Sequence, residues 1–225
     1  MEGHGTTALF DIFGLRVSSY VTTMWGIMLV IFILSYFATR NMKKVPTGTQ
    51  NVMESIIEIL RNFFSGIMGP RQLKQFLPLL VTLFLFILFS NYSGLLPMAG
   101  HLPGLSAPTS TISVTAGFAI VVFLCTHFFG LKEHGLGYFK HFFKPVAFLF
   151  PLMIIEELVR PLSLSLRLYG NIFGEEMVTA QLFDMVPFAV PIIMQLLGVL
   201  MGLIQAFVFT LLTAVYLGGA TADNH

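Results

Sequence analysis

Apolar runs long enough to cross a membrane make up most of the chain. A helix needs about 20 apolar residues to span the hydrocarbon core of a bilayer, and residues 20–39 form such a run. Residues 75–93 and 110–130 form two more, joined by a segment rich in proline and glycine, so they are predicted to form a helical hairpin. Residues 145–183 and 188–218 are longer than a perpendicular span requires, which predicts a long tilted hairpin.

Residues 49–69 show a different pattern. Apolar side chains recur at helical spacing along one face, and polar side chains occupy the other. The polar face contains Asn51, Glu54, Glu58, Arg61 and Asn62. This pattern predicts an amphipathic helix that lies on the membrane surface. The chain, residues 1–225, is therefore predicted to be one all-α integral membrane domain with five membrane-crossing helices and one amphipathic surface helix.

The composition and the positions of the positive charges agree with this prediction. The chain is 56% hydrophobic and 10% charged, whereas soluble domains are about a quarter charged. Nine of the 12 lysines and arginines fall in segments that share one side of a five-crossing topology: Arg40, Lys43, Lys44, Arg61, Arg71, Lys74, Lys132, Lys140 and Lys144. Only Arg16 falls on the other side. The positive-inside rule therefore predicts an amino terminus outside and a carboxyl terminus in the cytoplasm.

Cofactor chemistry is not favoured by the residue content. The single cysteine, Cys125, cannot form an intramolecular disulfide, and no cluster of cysteine and histidine has the spacing of a metal site. We therefore expect no cofactor, no metal and no nucleic-acid partner. The first residues lack the basic start and the small-residue cleavage site of a secretory signal, so the first apolar run is predicted to be retained.

Residues 154–176 place six ionisable side chains in an otherwise apolar helix. They are Glu156, Glu157, Arg160, Arg167, Glu175 and Glu176. A charged side chain costs roughly 2.5 to 3.5 kcal/mol at the middle of a membrane on insertion scales, so each is a functional candidate. Helical geometry puts Glu156 about 20° from Arg167 and roughly 16 Å along the axis. Asn171 shares the face of Arg167.

Arg167 is the central candidate because arginine does not release its proton at accessible pH. It can attract an anion, expel a cation or block a path, and a carboxylate brought beside it is favoured in its ionised form. Small residues on the same face, Ser163, Gly170 and Gly174, would let another helix approach closely. Gln205 lies near Gly198 and Gly202 on the last helix and is predicted to help line a hydrated path.

Less specific interpretations of the same residues stay open at this point. Glu156 and Arg160 could form an intrahelical pair without function, and Arg167 could be an interfacial arginine that reaches the lipid headgroups. Glu175 and Glu176 could simply flank a span, and Gln205 could make a structural hydrogen bond between helices. At the level of the whole chain, a channel or secondary transporter working alone and a structural membrane scaffold are the alternative classes.

Two motifs carry a family resemblance, PLSLSLRLYGNIFGEE at residues 161–176 and IQAFVF at residues 204–209. Further segments follow in the same order: PTGTQN, FSNYSGLLP, APTSTISVT and GLGYF. With these the chain resembles subunit a of the F-type ATP synthases. The resemblance implies a non-catalytic, proton-translocating stator subunit with two half-channels and an essential arginine. The implied partners are the c-ring, the b-subunit peripheral stalk, the remaining ATP synthase subunits, protons and the lipid bilayer, in a bacterial plasma (inner) membrane.

The resemblance also implies individual roles. Arg167 matches the essential arginine of the family, Glu176 the carboxylate that follows it, and Asn171 the asparagine of the RLxGN motif. Gln205 matches the polar residue of the last helix. Glu156 matches the upstream acidic residue as the chloroplast and cyanobacterial branch places it. The predicted proton path also includes the neighbouring Glu157 and Glu175. Thr111 and Ser113 stand where many members carry an acidic residue and an asparagine.

Overall fold

The computed structural model describes residues 8–12, 15–40, 42–43, 45–46, 48–96, 106–138, 150–185 and 189–222. Six α-helices and two short 3₁₀ helices, Pro108–Ser110 and Gly135–Gly137, follow a short hairpin in these residues. The hairpin pairs β1 (Ala8–Ile12) with β2 (Leu15–Ser18) in antiparallel register. The helices are α1 (Ser19–Thr39), α2 (Thr49–Ser65), α3 (Pro70–Ser93), α4 (Ile112–His134), α5 (Phe150–Met185) and α6 (Ala189–Thr221).

The prediction of a helical membrane protein is confirmed. Within the described residues, four helical segments are long and apolar enough to cross a membrane: Ser19–Thr39, Pro70–Ser93, Ile112–His134 and Ile192–Thr221. α5 is 36 residues long but carries the charged cluster, so a fifth crossing and the tilted hairpin stay predictions. The hairpin of β1 and β2 was not predicted, because alternation over four residues is too short to distinguish a strand from a loop.

Some helix boundaries differ from those predicted, for local physical reasons. α3 begins at Pro70, five residues before the predicted start, because proline suits the first turn of a helix and the Gln72 side chain accepts a hydrogen bond of 3.2 Å from the backbone N–H of Gly69. α4 continues to His134 and is stopped by Gly135 at a φ of 55°. The predicted helix start at Pro145 and the predicted break at Pro187 lie outside the described residues.

The core of the bundle lies between α3 and α6, and α4 packs against both α5 and α6. The most deeply buried apolar side chains include Phe76, Leu80, Ile87, Leu164, Leu168, Phe209 and Leu217. The amphipathic helix α2 packs against α1 and α3 through the buried Leu60 and Phe64. This packing holds α5 in place by one face only, and that face contains Leu164 and Leu168.

Large apolar side chains are exposed along the outer faces of the bundle. Phe32 is 71% exposed on α1 and Leu196 is 67% exposed on α6. In water such surfaces would be costly, whereas lipid tails are as apolar as these side chains. The exposed apolar faces therefore agree with a multi-pass membrane protein.

Candidate functional site

Arg167 lies near the middle of α5, on the face opposite the core. Leu164, Leu168 and Ile172 are buried at 1%, 0% and 4% exposure, and this periodicity turns Arg167 outward. The Arg167 side chain is exposed and forms no ion pair or hydrogen bond with the part of the chain that the structure describes. Its charge is therefore available to a group outside these residues.

The exposed face of α5 around Arg167 is made of small residues. Ser163 and Gly170 are exposed and Gly174 is half-buried. A Cβ atom added at Gly170 or Gly174 would meet no neighbouring atom of the described residues within 4 Å, so this face is open to them. Glu156 and Asn171 are also exposed, as helical spacing from Arg167 predicts.

Asn171 connects α5 to α6. Its Nδ2 donates a hydrogen bond of 2.8 Å to Oε1 of Gln205, whose side chain is 3% exposed. The interhelical hydrogen bond considered for Gln205 is therefore present. However, Nε2 of Gln205 has no partner within the described residues, so the bond to Asn171 does not satisfy the whole amide.

A second buried amide lies on α3. Nδ2 of Asn91 donates a 2.8 Å hydrogen bond to the carbonyl oxygen of Gly202. A Cβ atom at Gly202 would lie 3.2 Å from Cβ of Asn91, so glycine permits this close approach of α3 and α6. Within the described residues, three further buried side-chain oxygens lack a partner: Ser90 Oγ, Asn91 Oδ1 and Thr109 Oγ1. No individual role was predicted for these residues, although they lie in two segments that carry the family resemblance, FSNYSGLLP and APTSTISVT.

Glu175 and Glu176 each lie against a glycine of a neighbouring segment. The Glu176 side chain lies beside Ser110, and its Oε1 lies 3.1 Å from the position that a Cβ of Gly94 would occupy. A Cβ at Gly198 would overlap Oε1 of Glu175. Glycine at these two positions is therefore what admits the carboxylates between the helices. We call Ser90, Asn91, Thr109, Ser110, Gln205 and Glu176 the Glu176 cluster.

Glu156, Glu157 and Arg160, near the start of α5, form a compact group of their own. Arg160 donates hydrogen bonds of 2.8 Å to Glu156 and 2.7 Å to Glu157, so the predicted intrahelical pair is confirmed and extended to a second carboxylate. The Arg160 guanidinium also lies 5.6 Å from the centre of the Tyr216 ring on α6, within the range of a cation–π interaction.

This group opens into a cleft of about 550 Å³, which we call the Glu157 cleft. It is lined by Thr126, His134, Gly137, Tyr138, Glu156, Glu157, Arg160, Val215, Tyr216, Gly219 and Ala220. Burial, followed by the negative charge of Glu157, raises the pKa of Tyr138, which lies beyond the end of α4. The structure does not bring the two carboxylate groups together: Glu157 and Glu176 are separated by roughly 28 Å along α5, with Arg167 between them.

The sequence of this helical bundle matches one known family over nearly its whole length. The family model described as the ATP synthase A chain matches residues 21–218. The chain belongs to this family. Among named relatives, ATP synthase subunit a of Moorella thermoacetica is 46% identical over 210 residues, which cover 93% of each chain. ATP synthase subunit a of Geobacter sulfurreducens is 45% identical, over 89% of this chain and 86% of the relative.

A third relative, ATP synthase subunit a 1 of Pelobacter propionicus, is 44% identical over 91% of this chain and 88% of its own. As a member of the ATP synthase A chain family, the chain is a non-catalytic membrane subunit of the ATP synthase complex. The expectations of ATP synthesis, proton transport and transmembrane helices agree with this family and with the apolar helices.

Proposed function

We propose that this member of the ATP synthase A chain family is the proton-translocating stator subunit, in which Arg167 lies next to the rotating c-ring. One observation carries the proposal. Arg167 is exposed on a face of small residues, without a partner in the described residues, and polar groups lead away from it toward both ends of α5. A carboxylate of the c-ring would supply the missing partner.

The first proposed half-channel follows the Glu176 cluster. From Glu176, which lies beside Ser110 and Gly94, the path runs one turn back along α3 to Asn91, whose Oδ1 has no partner within the described residues. It then crosses to Gly202 of α6 and continues to Gln205, whose Nε2 also has no partner there. Gln205 is bonded to Asn171, one helical turn from Arg167. Buried polar groups are generally satisfied by protein or by water, so these unpaired atoms support a hydrated route.

The second proposed half-channel is the Glu157 cleft. It opens between α4, α5 and α6 beside Glu156 and Glu157, on the opposite side of Arg167 from Glu176. A cleft of about 550 Å³ exceeds by far the roughly 30 Å³ that one water molecule occupies in the liquid. Protons released near Arg167 would reach the cytoplasm through this cleft if the amino terminus is outside.

The role of Arg167 follows from its chemistry. A guanidinium cannot carry the proton, so a c-ring carboxylate has to do so. As the protonated carboxylate approaches Arg167, the fixed positive charge favours the ionised form and promotes proton release. The same charge repels a proton that would pass directly between the two half-channels. Moving one elementary charge across a membrane potential of 100 mV releases about 2.3 kcal/mol. The synthesis of each ATP therefore needs several protons.

The proposed setting is the bacterial plasma membrane, with the amino terminus outside and the carboxyl terminus in the cytoplasm. The positive-inside distribution of lysine and arginine supports this orientation. The proposed neighbours are the c-ring at the exposed face of α5 and the b-subunit of the peripheral stalk. Glu175, which rests on Gly198, is proposed to assist Glu176 at the entrance of the first half-channel.

Replacing Arg167 tests the proposal directly. Arg167→Ala should abolish proton-driven ATP synthesis while the subunit still copurifies with the c-ring. Arg61→Ala, which removes an exposed arginine from α2, is the matched control and should keep synthesis. Glu176→Gln should slow passive proton flux through the membrane sector. Coupled synthesis by the Arg167→Ala complex would refute the proposal, and proton transport by the chain without a c-ring would favour an independent channel.

A further inference from the structure

A narrow pocket continues from the Glu157 cleft toward the middle of the bundle. It has a volume of about 20 Å³, and its lining includes Thr126, His127, Glu157, Arg160, Leu164 and Tyr216. Thr126, Glu157, Arg160 and Tyr216 line both spaces, so they form a neck between the wide cleft and the narrow pocket. Any proton that passes between the two spaces has to pass this neck.

His127 lies on the narrow side of the neck and faces Glu157. Its Nε2 lies 3.9 Å from Oε2 of Glu157, and its Nδ1 lies 2.9 Å from the carbonyl oxygen of Phe123. A carbonyl oxygen only accepts hydrogen bonds, so Nδ1 has to carry the hydrogen. The neutral ring therefore has its lone pair on Nε2, the nitrogen that points at the carboxylate.

Glu157 is shared between His127 and a permanent cation. Its Oε1 accepts a hydrogen bond from Arg160, while its Oε2 is the oxygen nearest His127. The titratable and charged groups that line the cleft beside the imidazole come from three parts of the bundle: Glu156, Glu157 and Arg160 of α5, His134 of α4 with Tyr138 just beyond it, and Tyr216 of α6. With both carboxylates ionised, Glu156, Glu157 and Arg160 together have a net charge of −1, so a protonated His127 would bring the net charge of these four side chains to zero.

We propose that His127 is a proton-transfer residue between the narrow pocket and the Glu157 cleft, an inference that rests on the proposed function. Nε2 takes up a proton that arrives through the narrow pocket. The N–H bond then breaks as Oε2 of Glu157 gains the proton, and Glu157 releases it to water in the cleft while His127 returns to its neutral form. A movement of roughly 1 Å brings the two atoms within the hydrogen-bond reach that such a transfer needs.

A packing role is the alternative for this histidine. The His127 ring lies 4.1 Å from the Phe123 ring and 5.9 Å from the Tyr138 ring, between centroids. The test therefore needs a variant that keeps an aromatic ring and loses the proton site, His127→Phe, beside one that removes the ring, His127→Ala. Phe128→Ala is the matched control, because Phe128 is the next residue of α4 and is 62% exposed on the outer face.

The assay is passive proton flux in inverted vesicles that contain the assembled membrane sector, after removal of the peripheral ATPase subunits. General acid–base groups contribute about 100-fold or more, and some water leakage will reduce this, so we expect about a tenfold loss in both His127 variants. Phe128→Ala should stay within about twofold of the unsubstituted complex. Imidazole added to the outer buffer, which bathes the cytoplasmic side, should restore flux in His127→Ala but not in His127→Phe.

Recovery with imidazole occurs in the same vesicles that showed the loss, so misfolding cannot produce it. Undiminished flux in His127→Ala would overturn the inference, and so would a loss that imidazole does not reverse. If His127→Phe kept normal flux while His127→Ala lost flux, the loss would be assigned to packing and the inference would be overturned. Absence of flux in the unsubstituted complex would refute the proposed function. Normal flux in the unsubstituted complex and in both His127 variants would refute only the role of His127.

Discussion

Gly94 is the position where a single methyl group tests the Glu176 cluster most directly. A Cβ atom at Gly94 would lie 2.7 Å from Cβ of Ala107 and 3.1 Å from Oε1 of Glu176. The first distance is too short for two carbon atoms, and Cβ of Ala107 is fixed to the backbone. In Gly94→Ala, the segment that carries Ala107 therefore has to move away from the end of α3.

The cost follows from the burial of this contact. Ala107 is 2% exposed, so the added methyl group cannot turn into solvent. Overpacking of this kind typically costs about 1 to 3 kcal/mol, which corresponds to a decrease of about 2 to 12 °C in the melting temperature for a chain of this size. The carboxylate of Glu176 must also shift by a few tenths of an ångström or more, so we expect passive proton flux to fall severalfold.

Thermal dissociation of the complex, measured at fixed protein concentration, gives the stability change, and vesicle flux gives the functional change. Gly117→Ala is the control, because a Cβ at Gly117 in α4 meets no neighbouring atom within 4 Å in the part of the chain that the structure describes. The melting temperature of this variant should be unchanged or slightly higher. The double variant Gly94→Ala, Ala107→Gly removes one methyl group from this contact and should regain most of the lost stability. The part not regained should be about 0.5 to 1 kcal/mol, the typical cost of a new glycine.

Two results would refute this reasoning about Gly94. One is a Gly94→Ala complex as stable as the unsubstituted complex, which would mean that α3 and the segment at Ala107 are not held together. The other is a double variant no more stable than Gly94→Ala alone, which would place the strain elsewhere. Restored stability with flux still reduced would assign the loss of flux to the displaced Glu176 carboxylate.

Two further predictions concern hydrogen bonding and close packing. Asn171→Ala leaves both polar side-chain atoms of the buried Gln205 without a partner in the described residues, which should lower the stability of the complex by about 1 to 3 kcal/mol. Gln205→Leu leaves only the exposed amide of Asn171 without a partner and should lower the stability less. Thermal dissociation that ranks the two variants in the opposite order would contradict this prediction. Gly130→Ala places a Cβ 2.5 Å from Cε2 of Tyr138 and should destabilise the complex by about 1 to 3 kcal/mol. Gly137→Ala is its control and should not destabilise the complex, because a Cβ at Gly137 meets no neighbouring atom of the described residues within 4 Å. Equal melting temperatures for the two glycine variants would argue against the packing of Tyr138.

The helices were predictable because their apolar stretches are long and their period is helical. The face of Arg167 was predictable for the same reason, since positions on one helix are fixed by 100° per residue, and Ser163, Gly170 and Asn171 are exposed with it. The intrahelical pair of Glu156 and Arg160 was likewise readable from a spacing of four residues.

Contacts between segments far apart in sequence were not predictable. Asn91 and Gly202 are separated by 111 positions, and neither the apolar pattern of α3 nor that of α6 indicates how the two helices are rotated against each other. The glycine that accommodates Glu175 shows the same limit. Gly198 was recognised as a small residue on α6, but only the packed bundle shows that the Glu175 carboxylate occupies the place of its missing side chain.

The interfacial interpretation of Arg167 can be weighed against the length of α5. At 1.5 Å per residue, 36 residues extend about 54 Å, and Arg167 lies near the centre of this length, about 25 Å from either end. If α5 crosses the membrane as the tilted helix that the sequence predicts, its centre lies near the middle of a bilayer whose hydrocarbon core is about 30 Å thick, too far for a side chain to reach the headgroups. Exposure to lipid alone would leave an unpaired charge there at substantial cost. The described residues supply no carboxylate beside Arg167, so its counter-charge has to come from another segment or subunit. The face of small residues around Arg167 also favours an element that can pack closely against α5. A helix of the proposed c-ring that has its own carboxylate would meet both requirements.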